Sequence, residues 1–235
     1  MARLTRKELK SDKFVSEVGH TVEYVSEHRK QVIRYAVVGA VVLVLVLLFF
    51  GYRRQQSAAR SAALNAADEI QNSPVGPPRP DAPKTFATDQ EKNSAATKAY
   101  TDLVTKYGGS NEAIIAEYHL GLIAADQDKL PEAEKWLKEV ADSGNANYAS
   151  LAKLSLADLY RAQGKIAEAE KLLRGLMDRP SDFVSKDAAA VTLAQLLVST
   201  RPQEARKLVE PLMATNRPAI GRAAAAVMGE LQGKP

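Results

Sequence analysis

Apolar residues run without interruption from Tyr35 to Tyr52, YAVVGAVVLVLVLLFFGY, eighteen positions with no charged or strongly polar side chain. At about 1.5 Å of rise per residue this run covers roughly 27 Å as a helix, close to the hydrocarbon thickness of a bilayer, and Tyr35 and Tyr52 fall where interfacial aromatics belong. Twelve of the residues are Val, Leu or Phe, each contributing about 0.3 to 0.6 kcal/mol toward insertion when central. A signal-peptide core is shorter, about 7 to 15 residues, and lies nearer the start; this run begins after 34 mostly polar residues. A buried core helix would show a polar face, and this one has none. The pattern predicts a transmembrane signal-anchor helix over 35–52.

Elsewhere polar and apolar positions alternate. In residues 1–34, Phe14, Val18, Val22 and Val25 stand three or four apart among Lys, Glu and Asp, the pattern of a basic amphipathic helix. Residues 53–72 are rich in Ala, Gln and Arg, good helix formers, and predict a helical stalk continuing the anchor. Prolines at 74, 77, 78, 80 and 83 then exclude helix and predict an extended linker over 73–88.

From residue 89 to 235 the pattern is one of short helices, and it repeats. Leu120 recurs as Leu156, Gly121 as Ala157, Asp128 as Gly164, Leu130 as Ile166, Ala133 as Ala169 and Leu137 as Leu173, each 36 residues on. A third copy carries Leu193, Ala194, Leu197, Ala205 and Val209, with its turn one residue shorter. Partial copies flank these: Ala96, Tyr100 and Leu103 read as a second helix, and residues 219–234 as a first. Units that cannot bury their apolar face alone stack on one another. The fold class expected is all-α, one transmembrane helix followed by a right-handed α-solenoid.

Charge and chemistry narrow the function. The net charge is +4, of which residues 1–34 supply +3, so the repeat region carries no basic footprint for nucleic acid. The basic tail predicts a cytoplasmic N terminus, with the C-terminal domain across the membrane. There is no Cys, and His119, the only His beyond the apolar run, lies between Tyr118 and Leu120 on a repeat helix, where it reads as a packing or surface residue rather than a catalytic base. No metal-ligand spacing and no phosphate-cradling glycine loop occurs, and neither a catalytic residue, a metal nor a cofactor is implied.

The small and large residues of these helix pairs resemble the tetratricopeptide repeat: Leu120-Gly121, Leu156-Ala157 with Tyr160, Gly164 at the turn, and Ala133, Ala169 and Ala205, each followed four residues later by Leu137, Leu173 and Val209. The aromatic usual early in the first helix is replaced by Glu117, Lys153 and Ala190. With its charged tail, anchor and stalk, the layout resembles the ancillary SecYEG translocon subunit family of bacterial inner-membrane proteins. That resemblance implies a non-enzymatic scaffold on the periplasmic side, with translocon subunits or periplasmic folding factors as partners. A structural protein acting by self-association is the alternative. In a tetratricopeptide-like stack the first helices line a groove. By alignment the partner-binding residues would be Ile115, Tyr118, Leu122 and Ala125, then Leu151, Leu154, Asp158 and Arg161, then Ala188, Val191, Gln195 and Val198. The Lys and Asn of a carboxylate clamp do not occur among them.

Overall fold

The computed structural model describes residues 29–77 and 85–233. The amphipathic segment expected over 1–34 lies almost entirely outside the described residues, as does the middle of the proline-rich segment. Helix α1, Arg29–Asn72, contains the whole apolar run and stops where the prolines begin. After it come α2 (Asp89–Tyr107), α3 (Asn111–Asp126), α4 (Leu130–Ala141), α5 (Ala146–Ala162), α6 (Ile166–Asp178), α7 (Lys186–Leu197), α8 (Pro202–Val209), a 3₁₀ turn at Glu210–Leu212 and α9 (Pro218–Gln232). No strand occurs among the described residues; the one backbone bridge joins Val75 and Phe86. The chain is all-α.

Two compact units divide it, residues 1–58 and 59–235. In the first, Val, Leu and Phe side chains from Val37 to Phe50 are exposed. The helix is long and apolar enough to cross a membrane.

The second unit begins at Ala59, thirty residues before the repeat domain expected from the sequence. Its first helical stretch is the end of α1, where Ala67 is fully buried and Ala63, Leu64 and Ile70 pack around Ala96, Tyr100 and Leu103 of α2. Tyr100, itself fully buried, donates to Asp68 at 2.7 Å, and Arg60 and Ser61 reach Glu112 of α3 at 3.2 and 3.3 Å. The residues expected as a stalk therefore supply the first-helix partner that α2 otherwise lacks.

Each later pair repeats one local scheme. The first helices start on side-chain caps: Ser110, Asn145 and Ser185 accept from the N–H groups of Ala113, Tyr148 and Ala188. The second helices start on Lys129, Lys165 and Arg201, which offer no side-chain cap. A cation at a helix N-terminus opposes the macrodipole, and two of the three are instead held by the preceding repeat. Lys165 lies 3.6 Å from Glu134, which also accepts from Lys138 at 2.6 Å and from the Tyr160 hydroxyl at 3.1 Å. One repeat on, Glu170 accepts from Arg201 and, at 2.8 Å, from Arg174, and both arginines also reach Glu204.

Small residues set the helix spacing. Ala113, Ala116, Ala133, Ala152, Ala169, Ala189 and Ala205 have no exposed surface. At Gly121 a Cβ would lie 2.8 Å from the Leu137 Cγ. The turns within the first two full pairs use left-handed backbone at Asp128 (φ 59°) and Gly164 (φ 73°). The third turn closes instead with Arg201 N–H on the Leu197 carbonyl, which accommodates the missing residue.

Candidate binding face on the first helices

The twelve residues expected to line a groove fall on α3, α5 and α7, with Val198 just past the end of α7, and packing treats them unequally. Tyr118, Leu151 and Leu154 pack on the main core and stay partly exposed; Ile115 and Leu122 are likewise half-buried. Asp158 and Arg161 are exposed and pair with each other at 3.6 Å, one turn apart on α5. Gln195 is exposed, while Ala125 and Ala188 are half-buried. Val191 and Val198 are only 5% and 4% exposed. They belong to the core that takes in Val227, Met228 and Leu231 of α9, so they are packing residues and give an occupant almost no surface. An accessible apolar face is thus confined to α3 and α5, with Gln195 at its α7 border.

The structure adds two residues that the alignment did not bring to this face. Tyr118 meets Tyr148 of α5 edge to face, ring centres 5.7 Å apart, and Tyr148 meets Phe183 in the same manner at 5.6 Å. Phe183, in the segment before α7, is 52% exposed. Its neighbourhood is held by the Asn147 side chain, which accepts from the Asp182 N–H at 3.2 Å, and by Ser181, which accepts from the Val184 N–H at 3.0 Å. The Tyr118 hydroxyl lies 3.4 Å from Ser155 Oγ. Tyr148 falls in the first turn of α5 and Phe183 outside any helix, so neither occupies a groove position of the repeat.

His119 has a packing role. Its ring stacks on Tyr100, 5.0 Å away and nearly parallel, and Nε2 lies 3.9 Å from Asp68. Burial lowers its pKa from the ordinary value, and the Asp68 charge opposes that shift. Burial and the hydrogen bond to Asp68 push the Tyr100 hydroxyl well above the usual tyrosine range. On the other flank of α3, Glu117 is raised by burial and by the nearby Glu139 charge. Trp136 of α4 packs on the smaller core.

A cleft of about 1050 Å³ opens elsewhere, between α5 and α6, and none of the twelve residues lines it. Lys153, Lys171 and Arg179 share it with Glu168 and Asp178, so it favours neither sign of ligand. Among the described residues no three His, Asp or Glu side chains are grouped to hold a metal ion.

Comparison with known proteins agrees with this architecture. Residues 27–212 match the family model of the tetratricopeptide repeat-like domain. The matched region starts before α1, which accords with the burial of that helix's end, and stops short of α9. No curated protein and no solved structure matches the chain. Because the family match takes in most of the sequence, the chain belongs to the tetratricopeptide repeat-like domain family.

Proposed function

We propose that this chain is a membrane-anchored scaffold for protein–protein interaction. Residues 35–52 cross the bacterial inner membrane once, the N terminus is cytoplasmic and the repeats are periplasmic. Its partners are translocon subunits or periplasmic folding factors. One observation carries the binding role: after the helices have packed, Ile115, Tyr118, Leu122, Leu151 and Leu154 remain partly exposed together on adjacent first helices. Large apolar side chains left accessible in a contiguous patch mark interaction sites. The anchor supports the same reading, since a tethered domain meets a membrane-bound partner at raised local concentration and needs only modest affinity.

Crosslinking in native membranes, followed by mild solubilisation and mass spectrometry, tests the proposal. Translocon subunits or a membrane-bound folding factor are the expected products. Tyr118→Asp with Leu154→Asp should abolish their capture while the helical circular dichroism signal persists. Undiminished capture by the folded double variant would remove the face from the reading. Recovery of the chain alone would favour the self-associating alternative.

A further inference from the structure

The cleft between α5 and α6 has no part in the scaffold reading. Residues 36 apart hold equivalent places in the first two full pairs, as Leu137 and Leu173 do. By the same offset Trp136 corresponds to Leu172, Glu139 to Gly175 and Lys135 to Lys171. On α4 the Trp136 indole packs on the smaller core. On α6 the equivalent place holds only the Leu172 isobutyl group, which packs on the main core and lines the cleft. One turn on, Gly175 lines it too, and a Cβ there would meet nothing within 4 Å. The second pair thus lacks an indole and a long polar side chain where the first pair has both, and about 1050 Å³ stands open beside these positions.

The first pair also shows what chemistry suits the vacant place. Lys135 Nζ lies 5.2 Å from the centre of the Trp136 ring, a cation over a π face. Lys171, its equivalent, is exposed, lines the cleft and makes no ion pair among the described residues. Of the other charges there, Arg174 pairs with Glu170, while Lys153 and Arg179 offset Glu168 and Asp178. The uncompensated charge is therefore one lysine, on a cleft whose Ala141, Ala149 and Leu176 are apolar. An aromatic ring meets both demands, since it is uncharged, buries well against alkyl groups and offers a negative face to an ammonium.

We infer that this cleft is a second binding site, which receives an aromatic side chain, an indole above all, from a partner protein, with Lys171 over the ring. Ligand sites enclose about 300 to 1,000 Å³, and this one is at the upper end, with room for more than an indole. The guest is therefore an aromatic residue carried on a peptide segment, whose backbone approaches most closely where Gly175 has no side chain. None of the first-helix residues lines the cleft, so the site is independent of that face.

The probe is a dye-labelled blocked peptide, acetyl-Ala-Ala-Trp-Ala-Ala-amide. It is titrated with full-length chain in detergent micelles, with empty micelles as the blank, and its anisotropy is read. Saturable binding is expected, about tenfold tighter or more than for the same peptide with Ala in place of Trp. Leu172→Trp puts into the second pair the residue that the first pair carries, and should abolish binding while the helical circular dichroism signal persists. Gly175→Glu, again the residue of the first pair, enters open space and should weaken binding about tenfold, which decides the matter should Trp at 172 disturb the fold. Lys171→Gln should weaken it about two- to fivefold. Absence of saturable binding, equal binding of the two peptides, or binding unchanged in the folded Leu172→Trp and Gly175→Glu variants overturns the inference. Binding that is lost instead with Tyr118→Asp and Leu154→Asp assigns the peptide to the first-helix face, which overturns this inference and leaves the scaffold reading standing.

Discussion

Single residues decide how closely the helices approach. Gly121 faces the Leu137 side chain with room for a hydrogen and little else. Gly121→Ala should therefore cost about 1 to 3 kcal/mol as Leu137 is forced off its position, measurable by denaturant unfolding. Gly164 fails a Cβ for another reason: space around it is open, but its φ of 73° is in the left-handed region. Gly164→Ala should cost about 1 kcal/mol, and Asp128, at the equivalent turn, shows that a residue tolerant of that conformation is accommodated. Tyr100→Phe removes the hydroxyl that donates to Asp68 at 2.7 Å. The loss should be about 1 kcal/mol, the net worth of one hydrogen bond, because Asp68 is partly exposed and can accept from water once the donor is gone.

Between elements, the recurring contact is a glutamate on one second helix and the cation that starts the next. Lys138 and Arg201 are the leading causes that hold the carboxyls of Glu134 and Glu170, respectively, below the usual carboxylate range. A carboxyl with a lowered folded-state pKa contributes stability above its unfolded pKa, near 4.5, and loses it as pH falls through the folded value. The domain should thus lose stability on acidification below about pH 4.5. Glu170→Gln should flatten that part of the stability–pH curve while lowering the plateau near neutrality only slightly, since exposed ion pairs are individually weak. Glu117 acts in the opposite direction, because its raised pKa makes the folded state bind a proton more readily. The informative quantity is therefore the difference between parent and variant curves. His119, lowered by burial, adds a separate loss as pH falls below 6.5, its ordinary value.

At the scale of the whole molecule, the apolar run of α1 should decide where the chain resides. Replacing Leu45 and Leu47 by Arg places two charges near the centre of the run, each costing about 2.5 to 3.5 kcal/mol in a bilayer. The variant should leave the membrane fraction on alkaline extraction, whereas the parent stays with it. Continued retention of the variant would show that another segment anchors the chain. The fold of the repeat unit should survive the change, because its core is built from residues after Ala59.

Much of this architecture follows from local pattern. An eighteen-residue apolar run, a 36-residue period with a one-residue deletion in its third copy, and helix-breaking prolines after Asn72 are properties of neighbouring residues, and they determined the helices, their breaks and the all-α class. Exposure is different, since it depends on which helix lies over a side chain. Val191 and Val198 share their repeat positions with Leu154 and Arg161, yet they are buried in the core that includes α9. The end of α1 reads as an alanine-rich stalk because Ala67 has no hydrophobic signature of its own, and only the presence of Tyr100 and Ala96 makes it core. Tyr148 and Phe183 were illegible for the same reason. Tyr148 meets Tyr118 from 30 residues further along the chain and Phe183 meets Tyr148 from 35 residues further still, a meeting decided by how the repeats stack and not by any spacing within one of them.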